Sequence, residues 1–89
     1  MKEAAEPRPA WVYIVECADG TLYTGWSYNV EVRVAAHNAG RGAKYTSGRR
    51  PVTLRWCEAY PTRRAAMKRE AAIKRLPRAR KLLLVEQVV

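Results

Sequence analysis

Two strand-like stretches separated by Asp19-Gly20 constrain this chain more than any other feature. Trp11 to Cys17 is rich in aromatic and β-branched residues, Thr21 to Trp26 is again strand-like, and Asp-Gly is a strong turn signal, so a β-hairpin follows. The length of the turn decides which side chains share a face, because residues alternate along a strand and a slip of one flips them all. A two-residue turn at Asp19-Gly20 sets Cys17 against Leu22 and Tyr13 against Trp26, with Tyr23 on the opposite face from Tyr13. A three-residue Ala18-Asp19-Gly20 loop, closed by Gly20 in the left-handed region, instead pairs Cys17 with Thr21, Val15 with Tyr23 and Tyr13 with Gly25. Both tyrosines then share a face, and a glycine inside a strand gains a purpose: opposite Tyr13, it leaves the ring unobstructed. The alternative is that these aromatics serve packing alone.

At 89 residues the chain has room for one modest core. The expected division is a flexible lead over residues 1–9 and a single domain over residues 10–89. The lead carries acidic residues and two prolines instead of an apolar run, which suits neither a signal peptide nor an anchor. A cytoplasmic location and no membrane partner are therefore expected. Cys17 and Cys57 stand forty residues apart in a chain with one histidine, so no zinc-ligand spacing exists and two buried, reduced thiols are expected.

Charge is divided unevenly. Residues 1–40 hold 3 basic and 5 acidic groups, residues 41–89 hold 14 and 3, giving net charges of −2 and +11. Lysine and arginine at that density point to a polyanion, most simply nucleic acid. A membrane surface fits less well, since the basic helix lacks large apolar anchors.

Downstream of the hairpin, Asn29 suits an N-cap, Val30 and Val34 give an apolar edge, and Gly40 suits a C′ stop, so residues 29–39 read as a helix. Arg33 and His37 lie four apart on one ridge, where a guanidinium could hold a phosphate and an imidazole could touch the same anion or its water. The plainer reading is an exposed arginine beside an incidental histidine. Residues 40–50 show no periodicity and read as a loop whose Arg41, Lys44, Arg49 and Arg50 offer phosphate-binding chemistry. Tyr45 there either stacks on a base or sugar or is pinned to the body.

Val52, Leu54, Trp56 and Tyr60 alternate with polar residues, which predicts a third strand with one apolar face. Thr62 opens a second helix that runs to about Leu76, with Ala66, Met67 and Ile73 marking its apolar arc. Glu70 falls near the middle of that arc and is the only acid in residues 61–85, among nine lysines and arginines. A carboxylate on a core-facing stripe needs a partner: an inward arginine such as Arg33, or a divalent ion. A last helix starts with Pro77 at N1, turns Leu82, Leu83 and Val85 inward and keeps its arginines and Lys81 outward. The expected fold class is α+β, a three-stranded antiparallel sheet flanked by about three helices.

Trp11-Val12-Tyr13, Tyr23-Thr24-Gly25, Arg33 and His37 on the first helix and Glu70 on the second together resemble the GIY-YIG nuclease superfamily, most closely its small stand-alone bacterial branch. The likeness spans about residues 10–86, with Trp11-Val12 standing where the first half-motif has Gly-Ile. The resemblance implies metal-dependent hydrolysis of DNA phosphodiesters, in repair or recombination, with catalytic roles for Tyr13, Tyr23, Arg33, His37 and Glu70. Glu70 is the implied ligand of one Mg²⁺ or Mn²⁺, weakly held without substrate. No small-molecule cofactor is implied, and a protein partner is compatible. Tyr13, its phenol pKa lowered near cationic groups or the metal, is expected to accept the proton of the attacking water, with His37 as alternative or orienter. Tyr23 positions phosphate or water, and Arg33 stabilises the transition state. Two other classes stay open: a catalytically silent nucleic-acid-binding module, and a basic protein–protein adaptor.

Overall fold

A computed structural model describes residues 8–86. The expected lead over residues 1–9 therefore lies mostly outside the described residues; within them, the Arg8 guanidinium sits 3.8 Å from the Tyr28 ring centre. Chain order is β1 (Ala10–Glu16), β2 (Leu22–Ser27), α1 (Val30–Asn38), α2 (Lys44–Ser47), β3 (Thr53–Tyr60), α3 (Arg63–Lys74) and α4 (Arg78–Val85). The sheet is antiparallel in the order β2-β1-β3, so the first strand is central and both others are edges.

The hairpin takes the three-residue loop. Cys17 N–H donates to the Thr21 carbonyl at 2.8 Å, Gly20 N–H donates to the Cys17 carbonyl, and Gly20 has φ +86°. Asp19 secures the turn by accepting from both the backbone N–H and the hydroxyl of Thr21. Val15 accordingly pairs with Tyr23 and Tyr13 with Gly25, and the two tyrosines share a face.

Each face of the sheet packs its own cluster. Ala10, Val12 and Ile14 pack against Ala66 and Ile73 of α3, with Trp26, Trp56, Tyr60, Leu76, Leu84 and Val85 around them. Tyr13, Val15 and Cys17 on the other face pack with Val30 and Val52, flanked by Trp11, Tyr23 and Val34. Two caps end where the residue types indicate: the Asn29 side chain accepts from Val32 N–H and the Thr62 hydroxyl from Ala65 N–H, each at 3.1 Å.

Five expectations change. The segment 40–50 is not wholly irregular, because Lys44–Ser47 forms one helical turn, making four helices in place of about three. β3 lacks one continuous apolar face: Trp56 pairs with Ile14 but Leu54 with Val15, so a bulge at Arg55 flips the parity and leaves Leu54 exposed. On α3 the arc is centred on Ala66, Glu70 and Ile73, and Met67, about 100° round from Ala66, is exposed. On α4, which begins at Arg78 with Pro77 as its N-cap, Leu84 packs inward while Leu83 is 61% exposed, and Arg78 turns back to donate to the Gly20 carbonyl at 3.0 Å. Cys17 is buried, whereas Cys57 is exposed on edge strand β3; both are free. Among the described residues, no helix is long and apolar enough to cross a membrane.

Candidate active site

Tyr13 is only 1% exposed, and its ring lies over Gly25 of the neighbouring edge strand. A Cβ on Gly25 would stand 2.7 Å from Tyr13 Cζ, closer than packed atoms approach, so the position accepts glycine alone. The missing side chain lets the phenol lean from the central strand across β2.

The Tyr13 hydroxyl reaches Nε2 of His37 at 2.8 Å, and His37 is fully buried. A bracket built by residues 40–47 holds this imidazole. Gly40 at φ +86° closes α1 in a Schellman turn, its N–H donating to the His37 carbonyl and that of Arg41 to the Ala36 carbonyl. Gly42 then passes so close to His37 that a Cβ there would lie 2.7 Å from its Cα. The α2 turn brings the buried Thr46 hydroxyl to 2.7 Å from His37 Nδ1, and the same hydroxyl donates to the Ala43 carbonyl at 3.1 Å. Asn38 clamps the far side of this segment through two hydrogen bonds with the backbone of Val52, at 2.6 and 3.1 Å.

The protein's own cations do not lower the Tyr13 phenol as expected. It is pushed up to about 12, chiefly by burial and then by Tyr23, with the Arg33 guanidinium pulling it part of the way back and Glu70 adding to the rise. Burial outweighs one partly solvated cation because a phenolate would lose nearly all its water here. His37 is lowered, first by burial and then by Arg33, which keeps the imidazole neutral. Arg33 and Glu70 are therefore both near enough to act on Tyr13, which brings α1 and α3 each within electrostatic reach of the phenol.

Tyr23 packs edge-on against His37, with ring centres 5.3 Å apart. Glu70 is 18% exposed and pairs with Lys74 at 3.3 Å, one turn along the same helix, rather than with Arg33. Lys74 Nζ also lies 5.8 Å from the Tyr23 ring centre, so α3 brings its one carboxylate and an ammonium to the tyrosine face. Among the described residues no group of three or more His, Cys, Asp and Glu side chains forms a metal cage. A lone, mostly buried carboxylate does suit an ion such as Mg²⁺, which keeps several waters and takes one or two protein oxygens.

The five residues Tyr13, Tyr23, Arg33, His37 and Glu70 thus come together, but the expected nucleic-acid set divides. Arg41 and Lys44 are exposed, and their side chains make no hydrogen bond or ion pair among the described residues. Arg49 is committed within the fold: it pairs with Asp19 at 3.0 Å, donates to the Tyr45 carbonyl at 2.7 Å and covers the Tyr45 ring at 4.0 Å. Arg50 donates to the Ser47 and Asn38 carbonyls. Tyr45 stacks on Tyr23, with centres 5.8 Å apart, so it braces the site instead of presenting a free ring. Guanidiniums so occupied organise the loop, whereas Arg41 and Lys44 extend into solvent beside it.

Sequence reasoning missed Gly42, Thr46 and Lys74. Lys74 was legible as Glu70 plus four. Gly42 and Thr46 carry no spacing signal, because their partner is a ring brought to them by a turn of the chain.

Comparison with known proteins shows the family of the chain. The profile of the GIY-YIG catalytic domain matches residues 9–82. A UPF0213 protein of Halobacterium salinarum is 59% identical over 70 residues, covering 79% of this chain and 91% of the relative. One from Staphylococcus haemolyticus is 52% identical over 77 residues, covering 86% and 94%. The solution structure of a UPF0213 protein from Bacillus halodurans superposes with a TM-score of 0.56 at 44% identity, covering 86% of this chain and 82% of that one. With the hairpin register, the helix order and these matches in agreement, the chain belongs to the GIY-YIG catalytic-domain family, among small stand-alone UPF0213 relatives.

Proposed function

We propose that this protein is a metal-dependent endonuclease that hydrolyses DNA phosphodiester bonds, serving repair or recombination in the cytoplasm. The observation that carries the reading is the 2.8 Å hydrogen bond between the Tyr13 hydroxyl and His37 Nε2, flanked by Arg33 and Glu70. A phenol at about 12 is a poor free base. As a relay it needs no phenolate: its oxygen takes a proton from the attacking water while its own proton passes to Nε2 of the neutral His37. The nascent hydroxide attacks phosphorus in line with the departing 3′ oxygen. Arg33 stabilises the charge that builds on the phosphoryl oxygens, a contact commonly worth about 10² to 10³ in rate. Tyr23, packed between His37 and Tyr45, positions the phosphate.

Glu70 is the residue that would hold a divalent ion, which when bound neutralises phosphate and leaving-group charge. Its pairing with Lys74 means the site has an internal cation until that ion arrives. Arg41 and Lys44 supply backbone contacts beside the site.

The burial of Tyr13 favours one second reading, a catalytically silent module that binds nucleic acid through the same basic face. A nicking assay separates the two: supercoiled, branched and single-stranded DNA with Mg²⁺ or Mn²⁺, comparing wild type with Glu70→Ala and Tyr13→Phe. Metal-dependent cleavage lost in both variants is expected. Cleavage unchanged by them sinks the site, and salt-sensitive binding without cleavage by wild type establishes the silent module.

A further inference from the structure

We infer that Thr46 is a positioning residue that selects the tautomer of His37, holding the proton on Nδ1 so that Nε2 faces Tyr13 as a bare base. Three buried groups lie in line: Tyr13 Oη to His37 Nε2 at 2.8 Å, His37 Nδ1 to Thr46 Oγ1 at 2.7 Å, and Thr46 Oγ1 to the Ala43 carbonyl at 3.1 Å. The ends of the line set its direction. The Ala43 carbonyl only accepts, from Ser47 N–H and from Thr46; with the single hydroxyl hydrogen of Thr46 directed there, its lone pair faces Nδ1, which then donates. A neutral imidazole has one N–H, and with that on Nδ1 the other nitrogen is an acceptor. At the opposite end, the Tyr13 hydroxyl has no other acceptor among the described residues, and the guanidinium of Arg33 beside it can only donate. The opposite tautomer would leave a buried phenol hydrogen unpaired, which is costly.

The fold around Thr46 serves this placement. α2 is a single turn with no side-chain cap, yet Thr46 is fully buried at its centre while Lys44 and Tyr45 face outward. Gly42 lies flat against His37, which closes the ring into the same bracket. The charged and titratable groups around the imidazole are Arg33 from α1, Tyr13 from β1 and Tyr23 from β2, with Glu70 and Lys74 of α3 behind the tyrosines. None of them hydrogen-bonds Nδ1, so Thr46 is the side chain that holds the proton there, in agreement with the Tyr13 hydroxyl at Nε2.

The role in turnover rests on the nuclease reading; the tautomer does not. His37 is the only histidine in the sequence, so a two-bond ¹H–¹⁵N correlation spectrum of untagged, ¹⁵N-labelled protein reports it without ambiguity. Wild type is expected to show Nδ1 protonated and Nε2 bare at neutral pH. Thr46→Ser should keep that pattern, and Thr46→Val should shift the proton to Nε2 or average the two. In the nicking assay Thr46→Val should lower kcat about 10- to 100-fold with little change in KM, with Thr46→Ser restoring most of the loss. Protonated Nε2 in wild type overturns the inference, even if Thr46→Val fails to fold. An unchanged tautomer in a folded Thr46→Val also overturns it. Absence of cleavage by wild type counts against the nuclease reading, and the tautomer spectra then decide the role of Thr46.

Discussion

The Tyr13 hydroxyl lies 2.8 Å from His37 Nε2, across 24 residues of chain, with both side chains buried. The pairing depends on two absent side chains: Gly25 leaves space for the phenol and Gly42 for the imidazole. Each of these contacts has a measurable consequence.

Gly25→Ala should be destabilising, because the new methyl collides with Tyr13 Cζ at 2.7 Å and the ring cannot move without leaving His37. A loss of about 1–3 kcal/mol in urea unfolding is expected. In a Tyr13→Val background the same substitution should cost much less. Additive losses in the double variant would mean the ring is not what Gly25 accommodates.

Stability should fall at both ends of the pH scale. The folded-state rise of Tyr13 to about 12 means the unfolded chain releases this proton first, so stability present below about 10 is lost as pH climbs through about 12, about 2–3 kcal/mol in all. His37 is lowered, so its contribution is present above about 6.5 and is lost as pH falls through the depressed folded value. Urea unfolding across pH, with Tyr13→Phe and His37→Gln as references, checks each limb. An alkaline limb unchanged in Tyr13→Phe would remove the phenol as its cause.

Among the described residues Arg41 and Lys44 are exposed and unpaired, while Arg49 and Arg50 are committed within the loop, so the proposed phosphate contacts fall to the first two. The double variant Arg41→Ala/Lys44→Ala should reduce the slope of log K against log salt by about 2 and leave unfolding unchanged. Arg49→Ala should instead cost about 1 kcal/mol of stability, through loss of Asp19 and the Tyr45 ring. Fluorescence anisotropy with labelled DNA at several salt concentrations, together with thermal melts, distinguishes the two. Equal slopes for wild type and the double variant would rule out the assignment.

Lys74 competes with any cation at Glu70, being 3.3 Å away but half exposed and therefore screened. Lys74→Met should tighten Mn²⁺ binding about two- to fivefold, as read from the free-ion signal in electron paramagnetic resonance, and Glu70→Gln should abolish the difference. Weaker binding in Lys74→Met would show that the ammonium supports the ion site.

Much of the frame was legible because it rests on local rules. The turn length determined the parity of Tyr13, Tyr23 and Gly25, and parity holds whatever packs on the sheet. Asn29, Gly40 and Thr62 satisfy backbone groups within a few residues of themselves, so their capping roles were visible from residue type. The strand from Val52 misled because one unpaired residue, Arg55, inverts an alternation that the sequence displays without interruption.

By itself, then, the sequence determined the strand–turn–strand order of the hairpin, the N-caps of α1 and α3 and, once the turn has three residues, the common face of the two tyrosines, all consequences of short-range geometry. Only the tertiary structure decided that Thr46 reaches His37, that Lys74 and not Arg33 pairs with Glu70, and that Arg49 and Arg50 serve the loop. It also decided the sign of the shift at Tyr13. Those outcomes depend on which groups from distant segments share a volume and how much water they lose there, and neither quantity is encoded in the spacing of residues along the chain.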